Sequence, residues 1–118
     1  MFVYVTYRAV SMFRTSYSFI THSRSHVPNE LALMYFSQYA PHVSVFTPIY
    51  VSSQTLPPSW IRGSMHKYDS SSAWWNFNAV GNVAAHFYVY AMKSVCILQK
   101  SIETHIDASL KRCLTLRT

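Results

Sequence analysis

A chain of 118 residues suits one domain. Half of it is hydrophobic and 16% is aromatic, which excludes an intrinsically disordered segment. Only 12% is charged, about half the usual share, so part of the surface is expected to lie against more protein.

The net charge of +6 invites a nucleic-acid or membrane partner. Its distribution argues against both. Arg8, Arg14, Arg24, Arg62 and Lys67 stand singly, and only Lys111, Arg112 and Arg117 crowd together, so there is no basic stripe. The most apolar late stretch, 83–98, carries His86 and Lys93 and is short for a bilayer. The N-terminal "MFVYVTYRAVSMF" lacks the charged start of a signal peptide.

In chain order, residues 8–21 read as a strand, because Val10, Met12, Phe13, Tyr17, Phe19 and Ile20 favour extended backbone. Met12 and Phe13 are adjacent, which fits a strand with protein on both faces, or a bulge. "THSRSHVPN" is a polar loop. "ELALMYFSQY", bounded by Pro28 and Pro41, reads as a strand, with a helix left open. "HVSVFTPIYVS" reads as a strand with an edge or a bulge at Pro48. "SQTLPPSWIRGS" is a loop.

From Trp74 the period changes. Phe77, Val80, Ala84, Phe87, Ala91, Val95, Leu98, Ile102, Ile106 and Leu110 recur every three or four residues, as on one helical face. One long helix or two consecutive ones over 72–112 both fit, with weak points at Gly81-Asn82 and Lys93. Ser70, Ser71 and Ser72 offer capping hydroxyls, and Asp69 places a negative charge at the helix start. Asp107 and Lys111 are spaced as an i,i+4 pair. The expected class is α+β, with antiparallel strands within 1–60 and one domain spanning 1–118.

Catalytic patterns are sparse. His22 and His26 stand four apart but lack the third and fourth ligands of a zinc site, so no metal is expected. With two glycines, Gly63 and Gly81, there is neither a GxSxG elbow nor a phosphate-cradling loop, and no cofactor is expected. Cys96 and Cys113 read as buried or half-exposed thiols. Seventeen residues of one helix would hold them about 25 Å apart, beyond disulfide reach.

Three strings carry a resemblance: "RAVSMFRTSYSFI", then "VPNELAL" with "FSQYAPHVSVFTPIYVSSQTLP", then "RGSMHKYDSSSAWWNFNAVGN". Together, over residues 8–103, they resemble the C-terminal part of cysteine dipeptidases related to secernins, in the N-terminal-nucleophile hydrolase superfamily. The resemblance implies a place in a four-layered α-β-β-α sandwich and, for the complete protein, hydrolysis of dipeptides. It implies a nucleophilic cysteine at the mature N-terminus, whose own amine takes the thiol proton. Here residues 1 and 2 are Met and Phe, and neither Cys96 nor Cys113 matches that position. The chain is therefore expected to be a partial domain that does not catalyse alone, with a dipeptide substrate and the missing N-terminal half as its partners.

Arg14, an arginine in an apolar strand, is the one nominated supporting residue. Its guanidinium would bind a substrate carboxylate, orient the nucleophile or form a salt bridge across sheets. Asn76 and Asn78, beside the tryptophan pair, would line a substrate pocket, or else serve core packing and helix-start hydrogen bonding. The alternative to a peptidase piece is a small non-catalytic binding or structural domain.

Overall fold

A computed structural model describes residues 11–115. Three strands, β1 (Tyr17–His22), β2 (Leu33–Gln38) and β3 (Thr47–Tyr50), form an antiparallel sheet in the order β1-β2-β3. Three helices follow: a single turn, α1 (Pro58–Ile61), then α2 (Ala73–His86) and α3 (Tyr88–Thr115). The class is α+β, as the sequence implies.

Local chemistry accounts for the elements and for their departures from expectation. The segment 30–39 does hold a strand, Leu33–Gln38, preceded by a 3-10 turn at Asn29–Leu31. The first strand begins only at Tyr17. Residues 12–16 form a turn, closed by Thr15 N–H donating to Met12 O at 3.1 Å, and Arg8 and Val10 lie outside the described residues.

The third strand begins only at Thr47. Val43 and Val45, read as strand residues, sit instead in a buried connection. Tyr39 takes φ 72°, which reverses the chain after β2, and the amides of Val43 and Ser44 both donate to Ala40 O. A bulky residue in left-handed backbone is strained and needs surrounding contacts to hold it. Pro58 at the first position of α1 supplies the φ that a helix start needs, so a turn of helix forms inside the expected loop.

The helical region is two helices. The break falls at Phe87 (φ −128°, ψ 43°), not at Gly81-Asn82 or Lys93. Phe87 O accepts from Tyr90 N–H and Ala91 N–H and so starts α3.

Hydrogen-bond alternation decides which way each strand edge points. Ser16 O accepts from Tyr39 N–H at 2.9 Å, opposite it in the β1–β2 register. Antiparallel pairs alternate between residues that bond across and residues that face away. Ser18, Ile20 and His22 therefore bond β2, while Tyr17, Phe19 and Thr21 turn their amides and carbonyls to the outer edge. On the other side Ala32 O accepts from Val51 N–H at 3.0 Å, so Pro48 falls on the outward-facing set of β3. The missing N–H of that proline thus costs the sheet no bond.

Both faces of the sheet are apolar. Ile20, Leu33 and Tyr35 share the face toward α3; Tyr17, Phe19, Met34 and Phe36 share the other. On that second face α1 makes contact, with Trp60 5.7 Å from the Phe36 ring, and Tyr17 and Phe19 remain 59% and 57% exposed.

The buried core is small: Tyr39, Ala40, Val43 and Ala84 form one cluster, with Trp74, Phe77, Ala91 and Met92 packed against it, and Leu33 and Val45 are buried as well. Of the periodic apolar face expected from Phe77 to Leu110, only Ala84 is fully buried, and α3 buries no residue. The reason is length. Twenty-eight residues make a helix of about 42 Å, whereas six-residue strands reach about 20 Å. The radius of gyration is 17.1 Å, against about 13.5 Å for a compact chain of this size.

Candidate functional site

The opening of α2 is where the chain's rare residue types gather. Trp74 and Trp75 are adjacent, so their side chains diverge by about 100° around the helix. Trp74 Nε1–H donates to Ser16 O at 3.0 Å and its ring meets Tyr39 edge-on at 5.7 Å. Trp75 Nε1–H donates to Ser64 O at 3.0 Å and its ring meets Tyr68 at 5.7 Å. The pair thus ties α2 to the entry of β1 on one side and to the 63–68 loop on the other. That loop passes close because Gly63 (φ 109°) has no Cβ; one would lie 2.9 Å from Ser72 Oγ.

The serines do not cap as expected. Ser72, the N-cap residue, is buried and makes no side-chain capping bond. Capping chemistry moves one step upstream, where the Asp69 carboxylate accepts from Ser71 Oγ–H at 2.7 Å and Ser71 N–H at 2.9 Å. Those two bonds hold the Asp69 pKa below its ordinary value of 3.8, with Arg62 and Lys67 assisting.

The three nominated residues are not brought together by any shared hydrogen bond. Arg14 is exposed and lies in the turn before β1, not in the middle of a strand. Its guanidinium sits 5.1 Å from the Phe13 ring centre. The desolvation that gave it a reason to bind a carboxylate is therefore missing. Asn76 Nδ2–H donates back to Ser70 O at 3.1 Å. Asn78 Oδ1 accepts from Asn82 Nδ2–H at 3.0 Å along the same helix. Asn76 thus serves the start of α2, and Asn78 is engaged further along the helix.

Both thiols are exposed on α3 and neither has a hydrogen-bond partner among the described residues. This corrects the buried or half-exposed expectation; the reason is again that α3 outruns the sheet. The Asp107–Lys111 ion pair does not form: both side chains reach solvent, where such a pair stabilises a helix by about 0.2–0.5 kcal/mol.

A concavity lies on the α3 side of the sheet. An open groove of about 420 Å3 runs between β1 and α3. Ile20, Tyr35, Phe46 and Ile106 give it apolar walls, and Glu103 and Asp107 bring two of the chain's four acidic side chains to it. His22, also lining it, stacks on Tyr35 at 6.5 Å between ring centres. Glu103 and Asp107 stand four apart on α3 and so share a helix face. That this face meets β1 needed the tertiary structure.

No curated protein and no solved structure matches the chain. A family model matches residues 3–101, beginning five residues ahead of the segment that carries the sequence resemblance. The match spans more than four-fifths of the length, and the chain belongs to peptidase family C69.

Proposed function

We propose that this chain is the C-terminal scaffold of a dipeptidase of the secernin-related, N-terminal-nucleophile kind, and that it does not hydrolyse peptides alone. In the complete enzyme an N-terminal cysteine would supply the thiol. Its α-amine, with an ordinary pKa of about 8, would take the thiol proton. A C–S bond forms at the substrate carbonyl, the C–N bond breaks as the leaving amine is protonated, and water then cleaves the thioester.

The observation that carries this reading is the pairing of family membership with two idle thiols. Cys96 and Cys113 are exposed on α3, with no hydrogen-bond partner among the described residues. The two-sided apolar sheet adds support, since a strand layer of a four-layered sandwich is covered on both faces. On the second face here α1 contacts Phe36, while Tyr17 and Phe19 stay more than half exposed. The missing N-terminal half is the partner that this reading calls for.

The alternative, a small non-catalytic domain, is less favoured because Tyr17, Phe19 and Ile20 are each more than half exposed on one short strand. Dye binding to exposed apolar surface favours the scaffold; a cooperative melt without dye binding favours the independent domain.

The direct test incubates the 118-residue chain with a panel of dipeptides and follows amine release. No turnover above the buffer rate is expected. Turnover that survives Cys96→Ala with Cys113→Ala, or that one of these substitutions abolishes, overturns the missing-nucleophile reading. Arg14, Asn76 and Asn78 are carried as substrate-contacting candidates for the complete enzyme only. Their alanine variants there should raise KM more than they lower kcat.

A further inference from the structure

The two outer edges of the sheet are not alike. On β3, Pro48 stands in the outward-facing set and removes a donor, which blunts that edge against further pairing. On β1, Tyr17, Phe19 and Thr21 face outward, with no proline and no lysine in the strand. Their amides have no partner among the described residues. A six-residue edge of this kind is a template for strand addition.

A second observation bears on the same edge. The groove over the α3 side of the sheet, which reaches β1 at Ile20, Thr21 and His22 and runs inward to Tyr35 and Phe46, also holds Glu103 and Asp107 from α3. The chain as a whole is strongly basic, and neither carboxylate has an ion-pair partner among the described residues. A negative rim with apolar walls suits an apolar segment that carries a cation.

We propose that β1 is the acceptor edge for an extended strand of another polypeptide that carries a lysine or arginine. The strand's backbone pairs with Tyr17, Phe19 and Thr21, and its cation reaches Glu103 and Asp107. Alternating side chains of the added strand point into the groove, as the period of two requires. This inference rests on edge geometry and charge, not on the dipeptidase reading. The peptide-binding test below and the dipeptide assay can therefore fail independently.

The probe is a fluorescein-labelled eight-residue peptide of alternating valine and threonine with one central arginine, followed by anisotropy on the full chain. Saturable binding is expected. A twin peptide methylated on alternate backbone nitrogens should not bind, an outcome independent of any protein variant.

Phe19→Pro removes an outward donor while leaving the β1–β2 bonds in place, and should abolish binding with the far-UV spectrum unchanged. Glu103→Gln with Asp107→Asn should weaken the arginine peptide by about two- to fivefold and leave a norleucine twin unaffected. Equal binding of the methylated peptide overturns the proposal, as does equal loss for both twins. So does concentration-dependent dimerisation that Phe19→Pro abolishes while the peptide never binds, because the occupant is then a second copy.

Discussion

Gly81→Ala isolates the packing at the centre of the molecule. Gly81 is buried in α2, and its backbone lies outside the left-handed region, so a methyl group meets no conformational strain there. In an open helix the change would stabilise by about 0.5–1 kcal/mol. Here the new Cβ would overlap Tyr39 Cε1 and lie 3.3 Å from Cδ1 and 3.2 Å from Val43 Cγ2. The ring cannot simply swing aside. Trp74 meets it edge-on, and its own backbone is fixed at φ 72°. Overpacking of a filled core costs about 1–3 kcal/mol, so the balance runs from about zero to a net loss of about 2.5 kcal/mol, centred on a loss of about 1 kcal/mol. Urea denaturation followed by tryptophan fluorescence should show a lower midpoint with an unchanged slope. Tyr39→Leu shortens the obstructing side chain. The double variant should therefore be less destabilised than the sum of the two singles, by at least about 0.5 kcal/mol. A midpoint that rises in Gly81→Ala, or strict additivity with Tyr39→Leu, would refute the close approach of ring and helix.

Two further outcomes follow from polar contacts. Ser37 and Ser44 are fully buried and their hydroxyls bond each other, while Ser44 Oγ–H also reaches Ala40 O at 2.9 Å. Ser44→Ala strands the Ser37 hydroxyl in the core and should cost about 1–3 kcal/mol. Ser37→Ala leaves Ser44 bonded to Ala40 and should cost less, so paired urea titrations must rank the two in that order. Asp69 has a lowered folded pKa, so its stabilising bonds are fully present above its ordinary value of 3.8 and are lost as pH falls through the lowered folded value. An NMR titration of its carboxyl carbon should place its midpoint below the ordinary one, and Ser71→Ala should move that midpoint upward.

How much of this was legible depends on the range of the interaction. The strand character of β2 and the helical period after Trp74 come from local patterning, and Pro48 announced an edge. The start of β3 was misread because Val43 and Val45 alternate as strand residues do. Their burial instead comes from a reversal at Tyr39, where the sequence offers a tyrosine in place of the usual glycine or asparagine. The helix break at Phe87 carries no proline or glycine, so nothing in the sequence marks it. Arg14 looked buried because apolar residues flank it, but the strand starts three residues later. For Asn76 and Asn78 the sequence allows a pocket or a helix-start role, and their observed partners are Ser70 and Asn82. The groove depends on bringing residues 20–22 against 103–107, a separation no local pattern can read.

Gln99 ties α3 to the sheet side of the molecule, its Nε2–H groups donating to His42 O at 3.2 Å and to Ser44 O at 2.7 Å. The helix continues from there to Thr115, a further run of about 24 Å at 1.5 Å per residue. One carboxamide thus acts like a pawl on a ratchet: it sets how far the rod is advanced and how it is rotated. Without that catch, sliding the rod by a single turn would carry every carboxylate on it past the strand it now faces.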